Sequence, residues 1–124
     1  VTLLDARQKK IRIIDQMIEK LSIQNAFTLR GRGEELGGSM VGMERFPVLS
    51  ARAVASLDRL YRWTRHLRAE DSKLHVFKGG NLDKEIRKLQ KSCPGIEWEQ
   101  TFLEVPEFPH LGENRKCLVT LIFR

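Results

Sequence analysis

The sequence predicts an α/β protein built on a doubly wound, mostly parallel sheet. Short apolar and β-branched runs alternate with segments of helical period until a closing pair of strands. That alternation describes a parallel sheet covered by helices, with an antiparallel strand at one side. The first run, Val1–Leu4, leads straight into a carboxylate, Asp5, and then into a basic helical segment. In nucleotide-binding sheets of this kind an acid at the tip of the second strand accepts hydrogen bonds from ribose hydroxyls. A glycine-rich turn about twenty residues earlier holds the rest of the ligand. Here no such turn precedes Asp5, so the chain reads as beginning one strand late.

After Asp5, Ile11, Ile14, Ile18 and Leu21 recur at helical spacing, with Ile13 and Met17 widening the stripe. The helix is expected over Arg7–Ser22, ending near Asn25. Ala26–Leu29 is a short strand. Gly31, Gly33, Gly37 and Gly38 then mark a loop with one helical turn at Glu34–Leu36, and Gly37–Met43 is a long, loose connection. Phe46–Leu49 is a third strand, shortened by Pro47. Ala55–Leu67 is a second helix, with Leu57, Leu60, Tyr61, Thr64 and Leu67 inward. Lys73–Phe77 is a strand ending at Lys78-Gly79-Gly80. Asn81 caps a third helix carrying Leu82, Ile86 and Leu89, with Asp83 in its first turn and Lys88 and Lys91 near its end, as the helix dipole prefers. Pro94-Gly95 stops it. Ile96–Val105 and Cys117–Phe123 are two long strands joined by a proline-rich loop. No repeat, low-complexity tract or second domain is visible, so residues 1–124 are expected to lie within a single domain.

Composition narrows the class. Of the 124 residues, 41% are hydrophobic and 31% charged, which is a globular rather than a disordered balance. A net charge of +6 favours a polyanionic partner without requiring one. No apolar run approaches the 18 or so residues of a membrane span, and no secretory layout opens the chain. Cys93 and Cys117 show no metal-type spacing and make a poor disulfide framework, so free thiols in a reducing cytoplasm are expected. His66, His75 and His110 form no ligand pattern with the cysteines or carboxylates, and no metal site is expected. No serine–histidine–acid arrangement is visible. The start at Val1 rather than at a methionine reads as a processed or cut chain.

Leu3-Leu4-Asp5-Ala6-Arg7-Gln8-Lys9-Lys10-Ile11-Arg12, then Arg32-Gly33-Glu34-Glu35-Leu36, then Arg52-Ala53-Val54-Ala55-Ser56-Leu57, then Lys78-Gly79 look like successive signature stretches of one family. In that order the sequence resembles the glucose-inhibited division protein B family of small-subunit ribosomal RNA guanine-N7 methyltransferases, over nearly its whole length. The resemblance implies a Rossmann-like class I methyltransferase sheet ordered 3-2-1-4-5-7-6, with S-adenosylmethionine as cofactor and ribosomal RNA of the small subunit as partner. This chain would be the C-terminal part of that domain, supplying strands two to seven. The first strand and its glycine-rich loop are missing, so the chain alone is expected to bind the cofactor weakly and to be inactive by itself. The strands ending at Asp5 and near Ala51 are then left with bare edges. Aggregation, pairing with another copy, or direct pairing of those two strands is expected. Three positions depart from the family pattern: Pro47 replaces an acidic residue, Ala51 a serine, and Gly33 a common alanine.

The site residues follow from both arguments. Asp5 offers two carboxylate oxygens to paired ribose hydroxyls; the plainer alternative is an aspartate stabilising a helix N-terminus. By resemblance Ala6 gives a backbone contact and Arg7 an edge contact. Gly33 and Glu34 stand where the family places adenine contacts, although by themselves they read as a turn glycine and a helix-start glutamate. Arg52 stands where the family uses an arginine at the cofactor, and its guanidinium suits a carboxylate or phosphate. Arg59, Arg62, Arg65 and Arg68 recur every third residue near Trp63 and His66. That stripe follows an RNA backbone or is a solvated helix face. Lys78, at a strand tip opening into the crevice, is a further RNA or active-site candidate. Arg7, Lys9, Lys10 and Arg12 divide between RNA contact and solubility. Two other readings stand beside the methyltransferase: a non-catalytic RNA-binding or ribosome-assembly protein on the same scaffold, and a dehydrogenase-like nucleotide-binding domain.

Overall fold

A computed structural model of the protein describes residues 1–36, 45–52 and 54–124. The expected Gly37–Met43 connection, and Ala53 of the third signature stretch, lie outside the described residues. The chain divides into two compact units, Val1–Met43 and Glu44–Arg124.

The first unit is a βαβ element. Strand β1 (Thr2–Asp5) leads through helix α1 (Gln8–Lys20) to strand β2 (Phe27–Arg30). The two strands pair in parallel, from Thr2 opposite Phe27 to Asp5 opposite Arg30, so both C-terminal tips lie at one end. Ile11 is buried against them and Ile14 and Ile18 are half-buried, while the Thr28 hydroxyl donates to the Asp15 carboxylate at 2.6 Å. The inward stripe is narrower than the sequence suggests, because Ile13, Met17 and Leu21 are 47%, 54% and 65% exposed. Two strands about 4.8 Å apart present a helix with only a narrow apolar strip. The helix stops where Ser22 turns left-handed (φ 52°), letting the Ile23 N–H reach back to the Ile18 carbonyl at 3.0 Å.

The second unit contains β3 (Phe46–Arg52), α2 (Leu57–Trp63), β4 (Arg68–Lys78), α3 (Asp83–Ser92), β5 (Glu97–Phe102), the short α4 (His110–Glu113) and β6 (Cys117–Ile122). Its sheet is ordered β3-β4-β6-β5. β3 and β4 are parallel and β6 runs against both of its neighbours, so the reversed strand lies second from the edge. Counting β1 as the second strand of the order 3-2-1-4-5-7-6, the two sheets are its segments 3-2 and 4-5-7-6. Within the first unit β1 pairs with β2, and within the second β3 pairs with β4.

The core of this unit follows the strand period of two. Leu74 and Val76 of β4 and Cys117, Val119 and Leu121 of β6 all face Leu57 and Leu60 of α2 and Leu82 and Leu89 beside or on α3. Several boundaries differ from the sequence reading. β3 runs past the expected Leu49 to Arg52, and Pro47, which lacks an N–H, sits at its entry in a register shift between Phe46 and Val48. α2 stops at Trp63, where buried Thr64 turns its hydroxyl onto the Leu60 carbonyl at 2.7 Å. β4 therefore begins at Arg68, five residues before the expected Lys73, and absorbs the extra length around Asp71 (φ 54°). α3 begins as expected, with the Asp83 N–H donating to Asn81 Oδ1 at 2.8 Å. β5 ends at Phe102, and the proline-rich connection carries α4.

Candidate functional site

Asp5 occupies the C-terminal tip of β1, with its side chain 26% exposed. The Arg7 N–H donates to Oδ1 at 2.8 Å. Arg7 Nε stands 3.6 Å from Oδ1 and Lys10 Nζ 3.4 Å from Oδ2. The Arg7 N–H is the main cause holding this carboxyl below its ordinary value; slight desolvation opposes it, and the Lys10 and Arg7 charges assist. The group is an ionised acceptor at neutral pH. It also steadies the entry to α1, so the helix-start role and an acceptor role coexist in one side chain.

The turn after β2 folds back onto this tip. Gly31 donates its N–H to the Asp5 carbonyl at 3.1 Å, and the Glu35 and Leu36 N–H groups reach the Arg32 carbonyl at 3.0 and 3.2 Å. Leu36 is buried and packs close to Gly31; a Cβ on that glycine would lie 2.7 Å from Leu36 Cδ2. Half-buried Gly33 and exposed Glu34 sit within this turn, and exposed Ala6 lies in the bend between β1 and α1. The first unit therefore gathers Asp5, Ala6, Arg7, Gly33 and Glu34 at one end of a parallel strand pair. An ionised carboxylate there fits the hydroxyls of a ribose, and the backbone of the neighbouring turn fits the edge of a purine.

In the second unit Arg52 is exposed at the C-terminal tip of β3, opposite Phe77 in register. Lys78, at the adjacent tip of β4, is only 15% exposed along its side chain. Its ammonium donates to the Ala55 carbonyl at 2.8 Å and meets Glu85 Oε2 at 2.8 Å. The same Glu85 oxygen accepts the Leu57 N–H at 3.2 Å. Lys78 thus ties the chain entering α2 to α3.

The arginine series divides. Arg59 is exposed on α2. Arg62 donates to Asp58 Oδ2 at 3.2 Å, and Arg65 lies beyond the helix. Arg68 is buried in β4, its guanidinium 3.9 Å from the Phe123 ring centre and 4.7 Å from that of Tyr61. The single solvated or RNA-facing stripe expected of all four therefore does not form, because α2 ends before Arg65 and the stacking draws Arg68 inward.

Sequence reasoning missed Asp58. Its carboxylate is 1% exposed and accepts from the Ser56 hydroxyl at 2.7 Å, from Arg62, and from Lys88 Nζ at 3.3 Å. Burial pushes this carboxyl up, but the Ser56 hydroxyl, Lys88 and Arg62 outweigh burial and leave it below its ordinary value. An acid in the first turn of α2 was visible in the sequence; its burial beneath a second helix was not. Among the described residues no cluster of three or more His, Cys, Asp or Glu could hold a metal ion, and no helix is long and apolar enough to cross a membrane.

Comparison with known proteins places this geometry. The chain is 40% identical over 95 residues to the ribosomal RNA small subunit methyltransferase G of Pelodictyon phaeoclathratiforme, covering 77% of this chain and 40% of that protein. It is 32% identical over 120 residues to that of Photobacterium profundum, covering 97% and 53%. The chain spans about half the length of the curated relatives it matches. Among solved structures, the precorrin-6y C5,15-methyltransferase of Geobacter metallireducens superposes with a TM-score of 0.69 at 11% identity, covering 99% of this chain and 66% of that one. Aeropyrum pernix fibrillarin, solved with S-adenosyl-L-methionine bound, gives 0.65 at 12% identity, covering 97% and 54%. The fold is that of the class I methyltransferases. The model of the GidB family, rRNA small subunit methyltransferase G, matches residues 1–113, and the chain belongs to that family.

Proposed function

We propose that residues 1–124 form part of one S-adenosylmethionine-dependent methyltransferase domain that methylates guanine N7 in small-subunit ribosomal RNA. The observation that carries this reading is the ionised Asp5 carboxylate at the tip of β1, with the turn after β2 bonded back onto the same strand end. Asp5 accepts the ribose hydroxyls, Ala6 and Arg7 border the sugar, and the Gly33-Glu34 turn meets the adenine. Arg52, at its own strand tip in the second unit, suits an anionic group, and the family resemblance supports a role for it toward the cofactor. Bound there, the cofactor supplies a methyl group on a positively charged sulfur.

The chain's own task is alignment and electrostatics. Guanine N7 carries a lone pair and no proton, so no general base is needed to expose it, which suits a site without a catalytic dyad. Arg59 and Arg62 are the residues proposed to face RNA from the second unit; Lys78, expected from the sequence to open into the crevice, is instead committed to Glu85 and the Ala55 carbonyl. A cytoplasmic setting accompanies this reading, supported by the free thiols of Cys93 and Cys117. Exposed apolar residues on the strands, Leu3, Leu4 and Val48 at 38%, 40% and 60%, support self-association through the sheet edges.

The test is calorimetric titration of S-adenosylmethionine into the natural full-length protein and its Asp5→Ala variant. Loss of a charge-assisted acceptor weakens binding roughly ten- to hundredfold without unfolding the protein. An unchanged dissociation constant removes Asp5 from the site.

A further inference from the structure

We infer that α2 and α3 together form a cationic surface that docks the phosphate backbone of RNA, with α3 as its main element; this rests on the ribosomal RNA reading above. On α3, Lys84, Lys88 and Lys91 fall at successive four- and three-residue steps, with Arg87 beside Lys88, and all four are exposed. Neighbours at those steps lie on one helix face about 5–6 Å apart. The opposite face is committed to the core through buried Leu89 and half-buried Ile86. Of the two acids of α3, Glu85 meets Lys78 instead of the stripe, and exposed Asp83 stands in the first turn, at the N-terminal end of the row.

Asp58 joins this stripe to α2. Arg62 of α2 and Lys88 of α3 both reach the same buried oxygen, Asp58 Oδ2, at 3.2 and 3.3 Å. Their side chains are still 62% and 59% exposed, so two cations share one buried negative charge and a net positive charge stays at the surface in a fixed place. Arg59, one turn before Arg62, extends the row along α2. The arrangement is a continuous cationic surface across two helices, with its one central carboxylate underneath.

The chemistry of the surface selects its partner. A helix that lies on a lipid surface inserts an apolar face, but the large exposed apolar side chains of this chain fall outside both α2 and α3. A row of polar cations without apolar insertion fits a phosphate backbone, where each neutralised phosphate releases counterions and sets a steep salt dependence.

The test compares wild-type protein, Lys84→Gln/Arg87→Gln/Lys91→Gln, and a control of equal charge loss, Lys20→Gln/Arg45→Gln/Lys73→Gln. Binding to a fluorescent transcript of small-subunit ribosomal RNA is followed across salt concentration, alongside binding to phosphatidylserine vesicles. Glutamine is a good helix former and Lys88 is left in place, so α3 is retained. The α3 variant is expected to bind the transcript at least about tenfold more weakly, with a salt slope shallower by about 2–3, while the control stays nearer to wild type. Equal losses in variant and control, or no loss in the α3 variant, overturn the assignment of this surface. Loss of vesicle binding with RNA binding intact overturns RNA in favour of a membrane. Failure of the wild-type protein to bind the transcript at all instead overturns the ribosomal RNA reading on which the inference rests.

Discussion

Replacing Asp58 with asparagine keeps the volume of the side chain and removes its charge. Two ion pairs and a hydroxyl hydrogen bond converge on that carboxylate. Because Arg62 and Lys88 are more than half exposed, each pair contributes no more than about 1 kcal/mol. The Ser56 hydrogen bond persists but loses its charge assistance, and relief of burial offsets part of the loss. The net cost is about 1.5 kcal/mol, a fall in Tm of roughly 6–12 °C for a unit of this size. The pH dependence identifies the cause. Asp58 has a lowered pKa in the folded protein, against an ordinary value of 3.8, so its stabilisation is present above that value and is lost as pH falls through the folded-state pKa. In urea unfolding followed by circular dichroism, the gap between wild type and Asp58→Asn is therefore full near about pH 7 and closes below about pH 4. A gap of the same size at both ends of that range, or none at neutral pH, would show that the charge of Asp58 does not hold α2 to α3.

Two further outcomes follow from contacts within the second unit and from the strand edges. Glu85→Gln leaves the mostly buried Lys78 ammonium without its counter-charge and weakens the Leu57 N–H contact, lowering stability by about 1–2 kcal/mol; urea midpoints that coincide with wild type contradict that role. The 124-residue chain should scatter light as species heavier than its 14.4 kDa monomer as concentration rises; a monomer across the whole series removes the sheet edges as an association surface.

The elements nearest Asp5 were legible because local rules and tertiary structure agree there. An unbroken apolar run ends in an acid, a helix-period segment follows, and a second short strand pairs in parallel, as the alternating pattern requires. The turn carrying Gly33 and Glu34 was placed by its glycines and by family resemblance; the bond from Gly31 back to Asp5 was not readable, since it joins the ends of two strands. Legibility failed where distant side chains decide. The apolar period of α2 continues past Trp63, but Thr64 ends the helix from within the core, and Arg68 is drawn under Tyr61 and Phe123, a stacking that no local spacing announces. Pro47 reads in sequence as shortening the strand at its entry and becomes a register shift once β4 supplies the extra residues opposite it. Asp58 passed unnoticed in the sequence, and only the packing of α3 turns it into a buried centre for two cations.

The central claim is methyl transfer, and one measurement addresses it directly. The natural full-length protein is incubated with methyl-tritiated S-adenosylmethionine and small-subunit ribosomal RNA, and the product is cleaved at N7-methylguanine by borohydride and aniline. The account predicts label in the RNA and strand scission at a guanine. Cofactor binding with no label transferred, or label on an atom other than guanine N7, would contradict it.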